Sequence, residues 1–218
     1  MDNRHHWENI YQHKQPHEVS WTQAVPAASL QLIHSLQLPR SASVIDIGGG
    51  ESRLVDFLLD EGYENITVLD ISATALEKTK ERLGPRAQQV KWIVSDITTF
   101  EPDTTYDVWH DRATFHFLTT PAQVAKYLQI AGRAVSGCLV ISTFSENGPE
   151  KCSGLTIRQY SEASLEQQLA AHFDKVRCMK EDHVTPFHTR QEFLYCLFRR
   201  KRQGEGAGIR QAVPGAHL

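Results

Sequence analysis

Two hydrophobic periods alternate along this chain. Apolar runs of strand length occur at 43–48, 65–70, 91–95, 106–110 and in CLVISTF, which ends at Phe144. Between them lie stretches whose apolar residues recur every three or four positions, as in SRLVDFLLDEGY, ATALEKTKERLG and PAQVAKYLQIAGRAV. The first period predicts strands and the second predicts helices buried on one face. A further helix is expected over 26–37, ahead of the first strand. Pro121 suits the first turn of its helix, and Ser161 suits an N-cap for a helix over Ser164–Phe173. Two last runs, KVRCMKE and EFLYCLFRR, alternate as paired strands do. Strand–helix alternation of this kind predicts an α/β domain, a mostly parallel sheet with helices on both faces. One domain is expected over 1–202, with 1–25 as an N-terminal lid segment. The tail 203–218, QGEGAGIRQAVPGAHL, has little to bury and is expected to be disordered.

The residues between the first strand and its helix narrow the choice of ligand. SVIDIGGGES sets an acid, Asp46, at the end of an apolar run and follows it with Gly48, Gly49 and Gly50. Glycines let a turn take conformations closed to other residues and let a ligand lie against bare backbone. The dinucleotide fingerprint G-x-G-x-x-G fails here, because Arg53 stands at the third glycine position. A P-loop fails as well, since no Gly-Lys-Ser/Thr follows. The remaining motif is D-x-G-x-G on Asp46, Gly48 and Gly50, and with it the chain resembles the class I S-adenosylmethionine-dependent methyltransferases.

The following strand ends extend that resemblance. In NITVLDIS the apolar run ends at Asp70, where an acid can take both ribose hydroxyls; the bland alternative is a helix cap. In VKWIVSDITTF Asp96 follows the apolar run, and the resemblance assigns it to the adenine amino group, with Ile97 covering the ring. YDVWHDRATFHF brings His110, Asp111, Arg112 and His116 to the fourth exit. The resemblance implies a Rossmann-like seven-stranded sheet whose last strand is antiparallel. It implies S-adenosyl-L-methionine as cofactor, with Tyr11, Trp21, Asp46, Gly48, Gly49, Gly50, Asp70, Ile71, Asp96, Ile97 and His110 around it. His116, Arg112 and Asp111 are the candidate catalytic residues. Two bland readings stand beside them: a packed core histidine, and a local Asp111–Arg112 ion pair. In the loop after the fifth strand, Cys152, Arg158 and Tyr160 are candidate substrate contacts. The aromatics Trp7, Tyr11 and Trp21 suit a lid over the cofactor or simple packing on the sheet edge.

W-H-D-R after strand four and a Gly-Pro loop after strand five are similar to the thiopurine and thiol methyltransferase branch. That likeness implies a small-molecule thiol as acceptor, although DIGGG is closer to the general family pattern. Two alternatives remain open: a protein lysine or other nitrogen acceptor, and a non-catalytic module that binds S-adenosylmethionine. The amine reading lacks the Asn/Asp-Pro-Pro-Tyr/Phe motif that many such enzymes carry.

Composition trims the list of partners. A net charge of −3 supplies no global basic field for nucleic acid. No run approaches the roughly 20 apolar residues of a membrane span, and the start is too polar for a secretory signal. Four cysteines show no C-x-x-C spacing: Cys138 and Cys196 sit in apolar runs and read as buried, and a reduced, cytoplasmic compartment is expected. Eleven scattered histidines suggest no metal site, His183 and His188 included.

Overall fold

The computed structural model describes residues 3–202. Its elements are α1 (Asn3–His13), α2 (Ala27–His34), β1 (Ser43–Ile47), α3 (Leu54–Asp60), β2 (Asn65–Asp70), α4 (Ala73–Leu83), β3 (Val90–Val94) and β4 (Tyr106–Arg112). They continue with α5 (Pro121–Ala134), β5 (Val135–Phe144), β6 (Lys151–Cys152), β7 (Leu155–Thr156), α6 (Glu162–Leu169), β8 (Phe173–Val184) and β9 (Arg190–Arg200). The expected tail lies outside the described residues.

Seven strands form one sheet in the order β3-β2-β1-β4-β5-β9-β8. β1 to β5 pair in parallel, whereas β9 runs antiparallel between β5 and β8. This is the expected Rossmann-like sheet. Chain order reverses beside β1, and ligands of open α/β sheets bind at such a switch point, outside the strands' carboxyl ends.

Side chains of a strand alternate between faces, and β1 and β4 use both. Ile45, Ile47 and Trp109 join the core on one face with Tyr127 of α5 and Leu165 of α6. Val44 and Val108 join the other, with Leu32 of α2, Leu54 of α3 and Leu76 of α4. Asp46 and His110 have the parity of the second set. They stand opposite each other in the β1–β4 register, beneath α2.

Three local readings need correction. The helix expected over 26–37 stops at His34, where Leu36 and Gln37 close tighter turns on Ile33 and His34 and Gln37 takes φ +50°. The helix begun by Ser161 stops at Leu169, because Phe173 already enters β8. Cys178 and Cys196 were expected as unpaired thiols. They face each other in the β8–β9 register, 4.1 Å apart at Cα, and form a disulfide. Cys138 and Cys152 are free and buried.

Candidate active site

The glycine turn is built by close approach. Gly48 has φ +65°, and a Cβ there would lie 1.9 Å from Thr114 Oγ1, a steric collision. That hydroxyl donates to the Ile47 carbonyl, so the β4 exit clamps the β1 exit. Gly50 has φ +34°, and its missing Cβ leaves space against Asp70 Oδ2 and the Tyr11 hydroxyl. From outside, α4 fastens the turn: Thr79 donates to the Gly50 carbonyl, and Arg82 to the carbonyls of Glu51 and Ser52 while pairing with Asp56.

Beside this turn opens a cavity of about 530 Å³, within the usual range for small-molecule sites. Asp46, Gly48, Gly49, Asp70, Ile71, Asp96, Ile97 and His110 line it, as do Tyr11 and Trp21 from the N-terminal segment. Gly50 lies in the turn but outside the lining. Part of the lining is aromatic. Trp7 makes edge contacts with Trp21 and Phe117, their ring centres 5.7 and 5.2 Å away.

The acids differ in their surroundings. Asp70 accepts from the Ser72 amide; burial, aided by the Asp46 charge, pushes its carboxyl up to about 7. Asp46 receives His110 Nδ1 at 2.7 Å on Oδ1, while its buried Oδ2 has no protein partner. Asp96 accepts from the amide and hydroxyl of Thr98. An unpartnered carboxylate oxygen, bare glycine backbone and a second buried acid suit a ligand carrying ammonium and hydroxyl groups.

The three expected catalytic residues divide. Asp111 and Arg112 are strand neighbours pointing to opposite faces and do not pair with each other. Asp111 accepts from the Tyr127 hydroxyl and from the amides of Thr114 and Phe115, so it braces the β4 exit. Arg112 lines the cavity and stacks over Phe193, donating to Tyr195 Oη and the Trp21 carbonyl. His116 is corrected to a core residue. It is fully buried outside the cavity lining, its ring packs between Phe117 and Phe144, and Nδ1 accepts the Phe144 amide. Burial lowers its pKa to about 3, which removes it as a base near neutral pH.

The substrate candidates divide too. Cys152 reaches the cavity from the short β6–β7 hairpin, but burial pushes its thiol up to about 11 and keeps it protonated. Arg158 and Tyr160 lie outside the lining and stack on each other at 5.0 Å.

Sequence reasoning missed Glu8 and Ser29. Glu8, on α1, accepts from the amides of Ala73 and Thr74 and from the Ser72 hydroxyl, at the start of α4. Ser29 is a buried polar residue in the apolar helix α2, bonded to His110 Nε2 at 2.8 Å. A lone serine on a buried stripe was the only available signal. At the other end of the N-terminal segment, His183 donates to the Ser20 carbonyl.

Comparison with known proteins agrees with this geometry. Residues 44–136 match the family described as "Methyltransferase domain". The chain is 29% identical over 142 residues to the mouse eEF1A lysine and N-terminal methyltransferase, covering 59% of this chain and 20% of that protein. It thus spans about a fifth of that relative's length. It is 28% identical over 169 residues to malonyl-[acyl-carrier protein] O-methyltransferase of Anoxybacillus flavithermus, covering 71% of this chain and 64% of the relative. Among solved structures, N-methyltransferase NodS of Bradyrhizobium japonicum with S-adenosyl-L-homocysteine superposes with a TM-score of 0.69. Identity there is 15%, over 92% of this chain and all of that one, so this likeness concerns the fold. The fold is that of class I methyltransferases. No helix among the described residues is long and apolar enough to cross a membrane.

Proposed function

We propose that the protein transfers a methyl group from S-adenosylmethionine to an amine nitrogen, with a protein lysine or N-terminal amine as the acceptor class. The observation that carries this is the make-up of the cavity's lining. It combines the carboxylates Asp46, Asp70 and Asp96 with the aromatic rings of Trp7, Trp21 and Phe117. The cofactor supplies an electrophilic methyl on a sulfonium, and its displacement leaves the positive charge on the accepting nitrogen. Aromatic faces attract such cations by about 0.5–2 kcal/mol each. A thiol acceptor ends neutral and draws no such benefit.

The chain's own residues bind, orient and dry the reactants. Asp70 suits the ribose hydroxyls, Asp96 and Ile97 the adenine, and Asp46 the amino-acid end. α1 closes over them with Trp7 and Tyr11, excluding water and holding the acceptor in line. Burial and the nearby Asp70 charge raise the Tyr11 phenol well above its ordinary value, so it remains a hydroxyl donor. The likeness to eEF1A lysine and N-terminal methyltransferases supports nitrogen over sulfur.

The test offers methyl-labelled S-adenosylmethionine with lysine-bearing peptides, free N-terminal peptides, small thiols and acyl carboxylates. Label on amines supports the proposal. Label confined to thiols or carboxylates overturns the acceptor. Cofactor binding without transfer to any of them makes the protein a binding module.

A further inference from the structure

Three buried groups form a chain at the cavity wall: Ser29 on α2, behind the lining, then His110 on β4 and Asp46 on β1, which line it. Ser29 Oγ lies 2.8 Å from His110 Nε2, and Nδ1 lies 2.7 Å from Asp46 Oδ1. Ser29 is 0% exposed, and His110 and Asp46 are each 2% exposed.

The direction of these bonds follows from elimination. The Ser29 hydroxyl proton is sealed from solvent, and His110 Nε2 is its hydrogen-bond partner among the described residues. A hydroxyl can donate to Nε2 only if that nitrogen carries no proton. The neutral ring must then hold its proton on Nδ1, which donates to Asp46 Oδ1. With the proton on Nδ1, no proton on Asp46 is needed to make this bond. One oxygen is held by His110, while Oδ2 is buried without a partner.

We infer that Ser29 and His110 are positioning residues that act through Asp46, holding it as an oriented anion for the amino-acid end of the cofactor. This rests on the S-adenosylmethionine assignment and adds two residues to it. An imidazolium in the same place would cancel the Asp46 charge, and the other tautomer would require a protonated Asp46. Either would weaken attraction for an ammonium group. The serine thus sets a charge two residues away from itself, without touching the ligand.

Two measurements test this. In the protein without cofactor, histidine 15N shifts should show His110 as the neutral Nδ1–H tautomer; an imidazolium or an Nε2–H tautomer overturns the inference. Calorimetry then compares S-adenosylhomocysteine with 5′-methylthioadenosine, which shares the nucleoside but lacks the amino-acid group. Ser29→Ala should weaken S-adenosylhomocysteine about tenfold, the worth of roughly one charge-assisted hydrogen bond, and leave methylthioadenosine unchanged. Equal weakening of both ligands would make the line a structural prop of the sheet edge and overturn the inference. Failure of the wild type to bind either ligand would overturn the cofactor assignment itself.

Discussion

At Asp70, burial and ligand chemistry pull in opposite directions. Burial pushes the carboxyl up to about 7, whereas ribose hydroxyls donating to it would favour the ionised form. Binding should therefore expel a proton near pH 6 and weaken as the pH falls below about 7. Calorimetry with S-adenosylhomocysteine in two buffers of different ionisation enthalpy reads this release directly. Asp70→Asn should weaken binding tenfold or more at pH 8, for charge-assisted bonds worth about 1.5–3 kcal/mol. The variant should also lose the proton release. Unchanged affinity would remove Asp70 from the ribose site.

Among the elements, α1 is held both by aromatic packing and by a polar clasp. Its aromatic face rests on Trp21 and Phe117, and Glu8 ties it to the start of α4. A carboxylate there meets unsatisfied amides and the positive end of the helix dipole. Partial burial raises the Glu8 pKa, but hydrogen bonds from Thr74, Ala73 and Ser72 outweigh it and hold the group below its ordinary value. The clasp therefore stabilises above the usual glutamate range and is lost as pH falls through the lowered pKa. Glu8→Ala should cost roughly 1 kcal/mol, the typical worth of a cap. Amide exchange over 3–13 should rise while exchange in β1 and β4 does not. An unchanged rate in α1 would show that the Glu8 clasp does not hold the helix.

The whole molecule bears the cost of its site as a dependence of stability on pH. Asp70 at about 7 and Asp111 at about 6 both lie above the unfolded carboxylate value, mainly through burial. Between about pH 4 and 7 the folded state therefore holds more protons than the unfolded one, and these groups lower stability as pH rises. Asp70→Asn removes one of the two charges. Without cofactor, that variant should gain thermal stability relative to wild type at pH 8, with a smaller gap at pH 5; an equal gap at both values would refute the assignment. The same substitution would thus stabilise the fold and impair binding, a trade common at ligand sites. Of this architecture, the sequence by itself determined the alternation of strands and helices, the acids at successive strand ends and the glycine turn. Each of these is written in local periodicity or in residues a few positions apart. Tertiary packing alone decided the rest. Ser29 and His110 are 81 residues apart, and Glu8 and Ala73 are 65 apart. Whether a histidine meets solvent, as a base must, or a core of phenylalanines, as His116 does, depends on which helix covers that face of the sheet. Burial then sets the charge, and burial is a property of the assembled layers rather than of any one segment.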